Sequence, residues 1–302
     1  MPELQGADEP EESHMRLLEC RIPRNHDLYL LGDSHEGNSA QYERGLRNTI
    51  AEILGNDRAF FTYLGDACET TTIDSKYYDP SNLKKDPETG MLPTVPYVQA
   101  RTVAEQFSPI ASKCVAWLDG NHDRRAMKYL HLSHAILERM NLLDAYGGYT
   151  CKLSVKDLEG KLMYKVFLFH GRTMAQSRAG SEKQKRANQE ASLQRMLAPL
   201  AGDCVIMACG HTHRLLVSKP VRRLYITDDG RDIKQHRIQH VQAGKYIDPE
   251  NRFYVNTGSF LRTQVVGLDT YSEIAAYAPV DLGFAVAHTE GGIIRDVEER
   301  PI

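Results

Sequence analysis

Apolar residues fall in short runs along this chain, and several of the runs stop at a glycine followed by a polar side chain. Residues 27–31 (DLYLL) read as a buried strand ending at Gly32-Asp33, and residues 60–64 (FFTYL) as a second ending at Gly65-Asp66. Residues 114–118 (CVAWL) form a third, running towards Gly120-Asn121. Between them, Leu46, Ile50, Ile53 and Leu54 recur at helical spacing over 43–54, and residues 96–107 carry a second helical pattern. Met127, Leu130, Leu137 and Met140 predict a third helix over 125–140. Residues 149–155 and 162–169 pattern as paired strands joined by a Glu159-Gly160 turn. A basic amphipathic helix is predicted over 182–200 and a buried strand over 205–209. Beyond Val221 the chain is strand-rich, with runs at 224–226, 253–255, 284–287 and 293–294. Strands alternating with helices, then a strand-rich end, predict an α/β protein with α+β character towards its C-terminus.

Residues 1–14 are acidic and poor in apolar anchors, which predicts a disordered tail before a single domain over 15–302. No internal repeat or linker divides that region. The stretch 70–96 is long, polar and rich in turn residues, a length that in a compact domain belongs to a functional or mobile loop. Apolar residues make up 41% and charged residues 25%, which excludes a fibrous or wholly disordered class. A net charge of −3 argues against an extensive basic coat for nucleic acid, while leaving room for a local basic groove. The six cysteines are scattered without a C-x-x-C pair, the N-terminal residues lack a signal-peptide pattern, and no apolar run approaches membrane-spanning length. A cytoplasmic protein with no membrane partner is expected; oligomeric state is left open.

The strand ends carry the candidate chemistry. Asp33-Ser34-His35, Asp66, Gly120-Asn121-His122-Asp123, His170-Gly171 and Gly210-His211-Thr212-His213 each follow a predicted strand. Polar side chains at carboxyl ends of strands in an α/β protein face a shared crevice. Carboxylate, amide-oxygen and imidazole donors in this mixture suit divalent first-row metals. A carboxylate can bridge two ions, and a metal pair cancels the repulsion between an anionic phosphate ester and hydroxide.

In that order, the five blocks resemble the signature of the calcineurin-like metallophosphoesterase superfamily: D-x-H, G-D, G-N-H-[DE], a lone His and G-H-x-H. The resemblance covers residues 33–213 and is specific through the combination. It implies a four-layer α/β/β/α sandwich of two mixed sheets with two metals at one edge. It implies that Asp33, His35, Asp66 and His213 hold one metal, and that Asp66, Asn121, His170 and His211 hold the other. Mn²⁺ is the first expectation for the pair, with Fe, Zn²⁺ and Ni²⁺ compatible. The reaction implied is in-line attack on a phosphate ester by metal-bound, bridging hydroxide. His122 matches the non-ligand histidine that protonates the leaving oxygen, and Asn121 would also touch the phosphoryl group. Two departures from the phosphoprotein phosphatase branch stand out. Glu69 occupies the position of the Asp that orients the catalytic histidine, and Thr70 stands where that branch has Arg. Together with Asp123, they favour a phosphodiesterase or nuclease-like enzyme. A phosphomonoesterase of nucleotides, sugar phosphates or phosphoproteins is the alternative, and a non-catalytic binding module the second.

Taken singly, each block has an ordinary reading, since strand-terminal Gly-Asp is commonly a turn. Arg124 and Arg172, adjacent to site residues, are candidate phosphate contacts. Tyr77 and Tyr78 could stack on a base if the substrate is a nucleotide or nucleic acid. The pairs His131/His134 and His236/His240 read as surface histidines, Cys68 and Cys209 as packing residues, and Asn256-Thr257-Gly258-Ser259 as structural support near the site.

Overall fold

The computed structural model describes residues 15–71, 78–85, 96–172, 177–221, 223–237 and 241–302. The expected tail 1–14 and residues 72–77 and 86–95 of the 70–96 loop, including Tyr77, lie outside the described residues. In chain order the first half comprises β1 (Arg16–Arg21), β2 (His26–Leu31), α1 (Glu43–Gly55), β3 (Ala59–Tyr63), α2 (Pro96–Phe107), β4 (Cys114–Leu118) and α3 (Leu132–Arg139). Next come β5 (Tyr146–Gly148), β6 (Thr150–Lys156), β7 (Leu162–Phe169), α4 (Glu182–Leu197), β8 (Ile206–Cys209) and β9 (Leu215–Ser218). The last elements are β10 (Leu224–Asp228), β11 (Ile233–Arg237), β12 (Phe253–Thr257), α5 (Tyr271–Ile274), β13 (Gly283–Glu290) and β14 (Ile293–Pro301).

The strands build two six-stranded mixed sheets, one ordered β1-β6-β7-β8-β12-β9 and the other β14-β13-β2-β3-β4-β5. The period-two pattern of each strand explains how they stack. Leu28 and Leu30 of β2, with Ala116 and Leu118 of β4, share a core with Leu153, Val166, Ile206 and Val255 of the other sheet. The alternate residues Tyr29, Leu31, Phe61, Tyr63 and Trp117 face outward onto Leu46, Ile50, Val103, Phe107 and Ile136 of α1–α3. On the far side, Phe167, Met207 and Tyr254 pack under Leu193 and Leu197 of α4. The result is the expected four-layer α/β/β/α sandwich.

Three expectations are corrected. The helix over 125–140 does not begin at Arg125: residues Asp123–Ala126 form a 3₁₀ turn, and α3 starts at Leu132. The cause is the Asp123 carboxylate, which accepts from the backbone N–H groups of Gly120 nearby and of Ala67 and Cys68 across the fold. His131 then caps α3, accepting from His134 N at 3.3 Å. The helix over 182–200 ends at Leu197, with a 3₁₀ turn at Ala198–Leu200. Several strands carried no clear apolar signal in sequence: β1 is a half-exposed edge strand, and β11 is exposed throughout. Among the described residues no helix is long and apolar enough to cross a membrane.

One buried cation stabilises the sheet with β12. Arg252 is 1% exposed, and its guanidinium donates to the carbonyls of Ile247 (2.8 Å), Ala201 (2.6 Å), Ala198 (3.1 Å) and Gly202 (3.3 Å). Hydrogen bonds from a charged donor contribute more than neutral ones, and truncation strands the acceptors. Arg252→Met should therefore cost roughly 3 kcal/mol or more, read as a lowered urea midpoint. A midpoint within about 1 kcal/mol of wild type would refute this role for the clamp.

Candidate metal centre

The loops after β2, β3 and β4 in one sheet, and after β7 and β8 in the other, meet at one edge of the sandwich. Backbone bonds fasten them to each other: Asp33 N donates to Gly65 O (2.9 Å), His35 N to Asp66 O (3.0 Å) and Gly210 N to His170 O (2.8 Å). The carboxylates are held the same way. His122 N donates to Asp66 Oδ1 at 2.7 Å, and His211 N lies 3.2 and 3.1 Å from the two oxygens of Asp33. Glycine is required where the loops cross. A Cβ on Gly120 would sit 2.0 Å from Asp66 Oδ1, and one on Gly210 2.5 Å from Asp33 Oδ2.

The backbone here is strained in a way that sequence inspection does not reveal. Asp33, His35, Asp66, His211 and His213 all have φ between 50° and 70°. Such conformations are disfavoured for non-glycine residues by about 1–3 kcal/mol each and gather at functional sites, where surrounding structure enforces them.

Two donor groups result. In the first, Asp33, His35 and His213 converge: His213 Nε2 lies 3.4 Å from Asp33 Oδ1, and His35 Nε2 lies 3.1 Å from His213 Nε2. In the second, His170 Nε2 is 3.3 Å from Asp66 Oδ2 and 2.9 Å from Asn121 Oδ1, and His211 Nδ1 is 2.8 Å from that same amide oxygen. Asp66 Oδ2 is also 3.9 Å from His35 Nε2, so its carboxylate stands between the groups.

The hydrogen bonds on the outer side of the rings test whether a cation fits. His170 Nδ1 donates to Leu64 O at 2.7 Å and His35 Nδ1 to Glu69 Oε2 at 3.0 Å. The neutral His170 ring therefore turns its Nε2 lone pair towards Asp66 Oδ2 and Asn121 Oδ1, which are themselves acceptors, and the neutral His35 ring turns its Nε2 lone pair towards His213. A proton or a metal ion relieves that repulsion, and a fixed tautomer with a carbonyl or carboxylate behind it is the usual support of a histidine ligand. The residues present fit divalent metal binding.

Charge follows from this crowding. Burial opposes ionisation of Asp66, yet the rings of His170, His122 and His35 hold its carboxyl well below the usual range. Burial likewise disfavours protonated His170, but Asp66 outweighs it and raises the ring to about 9. Burial pushes the His35 ring down despite Glu69, and burial together with His170 lowers His211. For Asp123, burial and then Asp66 raise the carboxyl to about 7.

A pH prediction follows for the metal-free protein. His170 has a folded-state pKa above its unfolded value of 6.5, so its contribution to stability is complete below pH 6.5 and is lost as pH rises through about 9. The same proton competes with a metal. Apparent metal affinity should rise by up to about tenfold per pH unit between 7 and 9, measured by titration calorimetry in the two buffers. A pH-independent affinity would contradict it.

His122 stands beside the donor groups without joining the Asp66 cluster. Its Nδ1 donates to the Glu69 carbonyl at 2.8 Å, and the Glu69 carboxylate lies further off at 3.4 Å. The Glu69 carboxylate also bonds His35 Nδ1 (3.0 Å), Asn38 Nδ2 (3.2 Å) and Thr71 Oγ1 (2.9 Å). The backbone of Glu69 thus fixes the His122 ring, rather than its side chain alone. Burial lowers the His122 pKa, but Asp66 and Glu69 raise it on balance. Arg125 NH2 is 2.9 Å from His122 Nε2, an arrangement that requires a lone pair on Nε2; protonation of the ring releases Arg125.

A cleft of about 750 Å³ opens over His35, Asp66, His122, His211 and His213. Its arginines are Arg125, Arg214 and Arg262, and Arg124 and Arg172 are not among its lining residues. Arg124 is exposed and lies over the Tyr149 ring at 5.5 Å, and Arg172 is exposed. Spacing could have flagged two of the three: Arg125 is three residues past His122, and Arg214 directly follows His213. Tyr78 lines the cleft, as do residues of the 261–280 segment, whose role the sequence left unread.

The remaining candidates are packed elsewhere. His131 and His134 stack at 3.8 Å and lie half-buried against Tyr146, not on the surface as expected. His236 stacks on Tyr225, and His240 lies outside the described residues. Cys68 and Cys209 are buried in separate cores, and Asn256 Nδ2 donates to Thr212 Oγ1, bracing the loop of His211 and His213.

No protein-family model matches the chain, and no curated protein matches it. Among solved structures, a conserved uncharacterized protein from Streptococcus pneumoniae, described as a predicted phosphoesterase, aligns over 91% of this chain and 98% of its own. The two share 12% sequence identity with a TM-score of 0.28.

Proposed function

We propose that this chain is a metal-dependent hydrolase of phosphate esters, of the calcineurin-like metallophosphoesterase class, acting on diesters in preference to monoesters. The observation that carries the reading is the pair of facing donor groups with Asp66 between them, held by left-handed backbone and walled by a cleft. In this reading Asp33, His35, Asp66 and His213 hold one divalent ion, and Asp66, Asn121, His170 and His211 the other, with Mn²⁺ the first choice. Such ions supply positive charge to phosphoryl oxygens and lower the pKa of coordinated water.

The side chains do the rest. His122, its ring fixed through Nδ1 by Glu69, presents Nε2 to the cleft and delivers a proton to the departing alkoxide. Arg125, released as that ring protonates, and Arg214 reach phosphoryl oxygens, and the Asn121 amide helps to orient them. Thr70 supports the diester preference. It is buried, with its N–H bonded to Gln99 Oε1 at 3.0 Å, so no cation stands there to meet the second charge of a monoester. Six free thiols suit a reducing compartment, and a cytoplasmic location belongs to the same proposal.

Bis-p-nitrophenyl phosphate and p-nitrophenyl phosphate, each assayed with Mn²⁺, test the reading. The diester should be turned over with the higher kcat/KM, by about tenfold or more, which is about 1.4 kcal/mol of transition-state discrimination. The opposite preference would establish a phosphomonoesterase instead, and metal binding without turnover of either would leave a binding module.

A further inference from the structure

The cleft has two unlike halves. Around the donor groups it is lined by imidazole, carboxylate and the guanidinium groups of Arg125 and Arg214. The half built by residues 78–83 and 261–280 presents Tyr78, Leu261, Ile274, Tyr277 and Val280, set among the neutral polar side chains of Asn82, Thr263, Thr270 and Ser272. Its two charged lining residues are both committed to the protein. Arg262 donates from Nε and NH2 to the carbonyls of Ala40 (3.1 Å) and Gln41 (3.3 Å). Asp79 accepts from Ser81 N (2.9 Å), Ser81 Oγ (2.6 Å) and Asn82 Nδ2 (3.0 Å). Ile274, at 69% exposure, leaves its side chain to water on this wall.

Single-stranded nucleic acid carries a charge at every nucleotide and is held by a groove of cations that tracks the backbone. Among the described residues Arg262 is the one cation lining this half of the cleft, a single charge where a polymer would bring a second and a third phosphate. A volume of about 750 Å³ is instead in the range of sites for small organic ligands, which are mainly apolar with a few polar anchors. We infer that this wall is the subsite for the alcohol part of the substrate, and that this part is uncharged, mainly apolar and of aryl size. The inference rests on the phosphate-ester reading above, and it narrows a phosphodiesterase or nuclease-like activity to small esters.

Two measurements separate the subsite from the hydrolase reading. Diphenyl phosphate and dimethyl phosphate are titrated into the Mn²⁺-loaded protein by calorimetry. Bis-p-nitrophenyl phosphate and methyl p-nitrophenyl phosphate, which share a leaving group, are compared as substrates. The aryl member of each pair should be preferred at least about tenfold, the scale of modest apolar contacts in a pocket. Ile274→Asp, an exposed position whose change the fold tolerates, should lower both aryl-to-methyl ratios by about tenfold. Hydrolysis with no aryl preference overturns the subsite and leaves the hydrolase standing. Aryl preference in binding with no hydrolysis keeps the subsite and removes the hydrolase. A ten-nucleotide oligothymidylate that binds more tightly than diphenyl phosphate overturns the small-ester inference in favour of a polymer.

Discussion

Asp66→Asn is expected to empty the metal centre and to lower kcat/KM for a phosphodiester by more than about 10³, roughly 4 kcal/mol of transition-state stabilisation. The substitution is nearly isosteric, and its Oδ1 can still accept the 2.7 Å bond from His122 N, so the loops stay joined. The loss is of charge. Oδ2 lies 3.3 Å from His170 Nε2 and 3.9 Å from His35 Nε2, one ring from each donor group, so a single carboxylate serves both. Metal content measured after dialysis against Mn²⁺ should fall well below the wild-type stoichiometry. The rise in melting temperature that a saturating ligand confers, about 2.7 kcal/mol at a hundred times its dissociation constant, should be lost with it. Wild-type metal content in the variant would show that Asp66 is no ligand.

His122→Asn should separate chemistry from metal binding. The ring is held by Glu69 O and capped by Arg125, and it packs edge-on against His35 at 4.7 Å between centroids, a contact that an Asn side chain gives up without touching the donor atoms. Removing a positioned general acid typically lowers kcat by about 10²–10⁴. That loss is expected with metal content unchanged, and with KM moving far less than kcat. The loss should also shrink for substrates whose leaving group needs no proton, so bis-p-nitrophenyl phosphate should suffer less than an alkyl diester. Equal losses for both leaving groups would reduce His122 to a positioning residue.

The candidate donors were legible in sequence because each block sits at the end of a strand that sequence also marks. Asp33, Asp66, Asn121, His170 and His211 follow runs whose apolar residues alternate between the inter-sheet core and the helices. The wall at 261–280 was not legible, since its apolar residues have no period and gain meaning only when folded beside residues 78–83. The break at Asp123 was hidden for a similar reason. Its carboxylate is spent on backbone N–H groups that include Ala67 and Cys68, more than fifty residues away, and that long-range contact overrides the helical pattern after it. Arg124 and Arg172 were chosen for adjacency to site residues, yet neighbours along a chain can point in different directions, and Arg125 is the one in the cleft.

Sequence by itself determined much of the inventory: the strands that carry the donors, the donors at their ends and the chemistry such donors suit. Those properties are local, carried by side-chain pattern and residue type. Tertiary structure alone decided the distances between those donors and which side chains wall the cleft. It also decided that five donor residues sit in left-handed backbone, a state their own sequence disfavours. Only the packing of two sheets face to face, with glycines letting the loops at one edge cross at contact distance, holds them there.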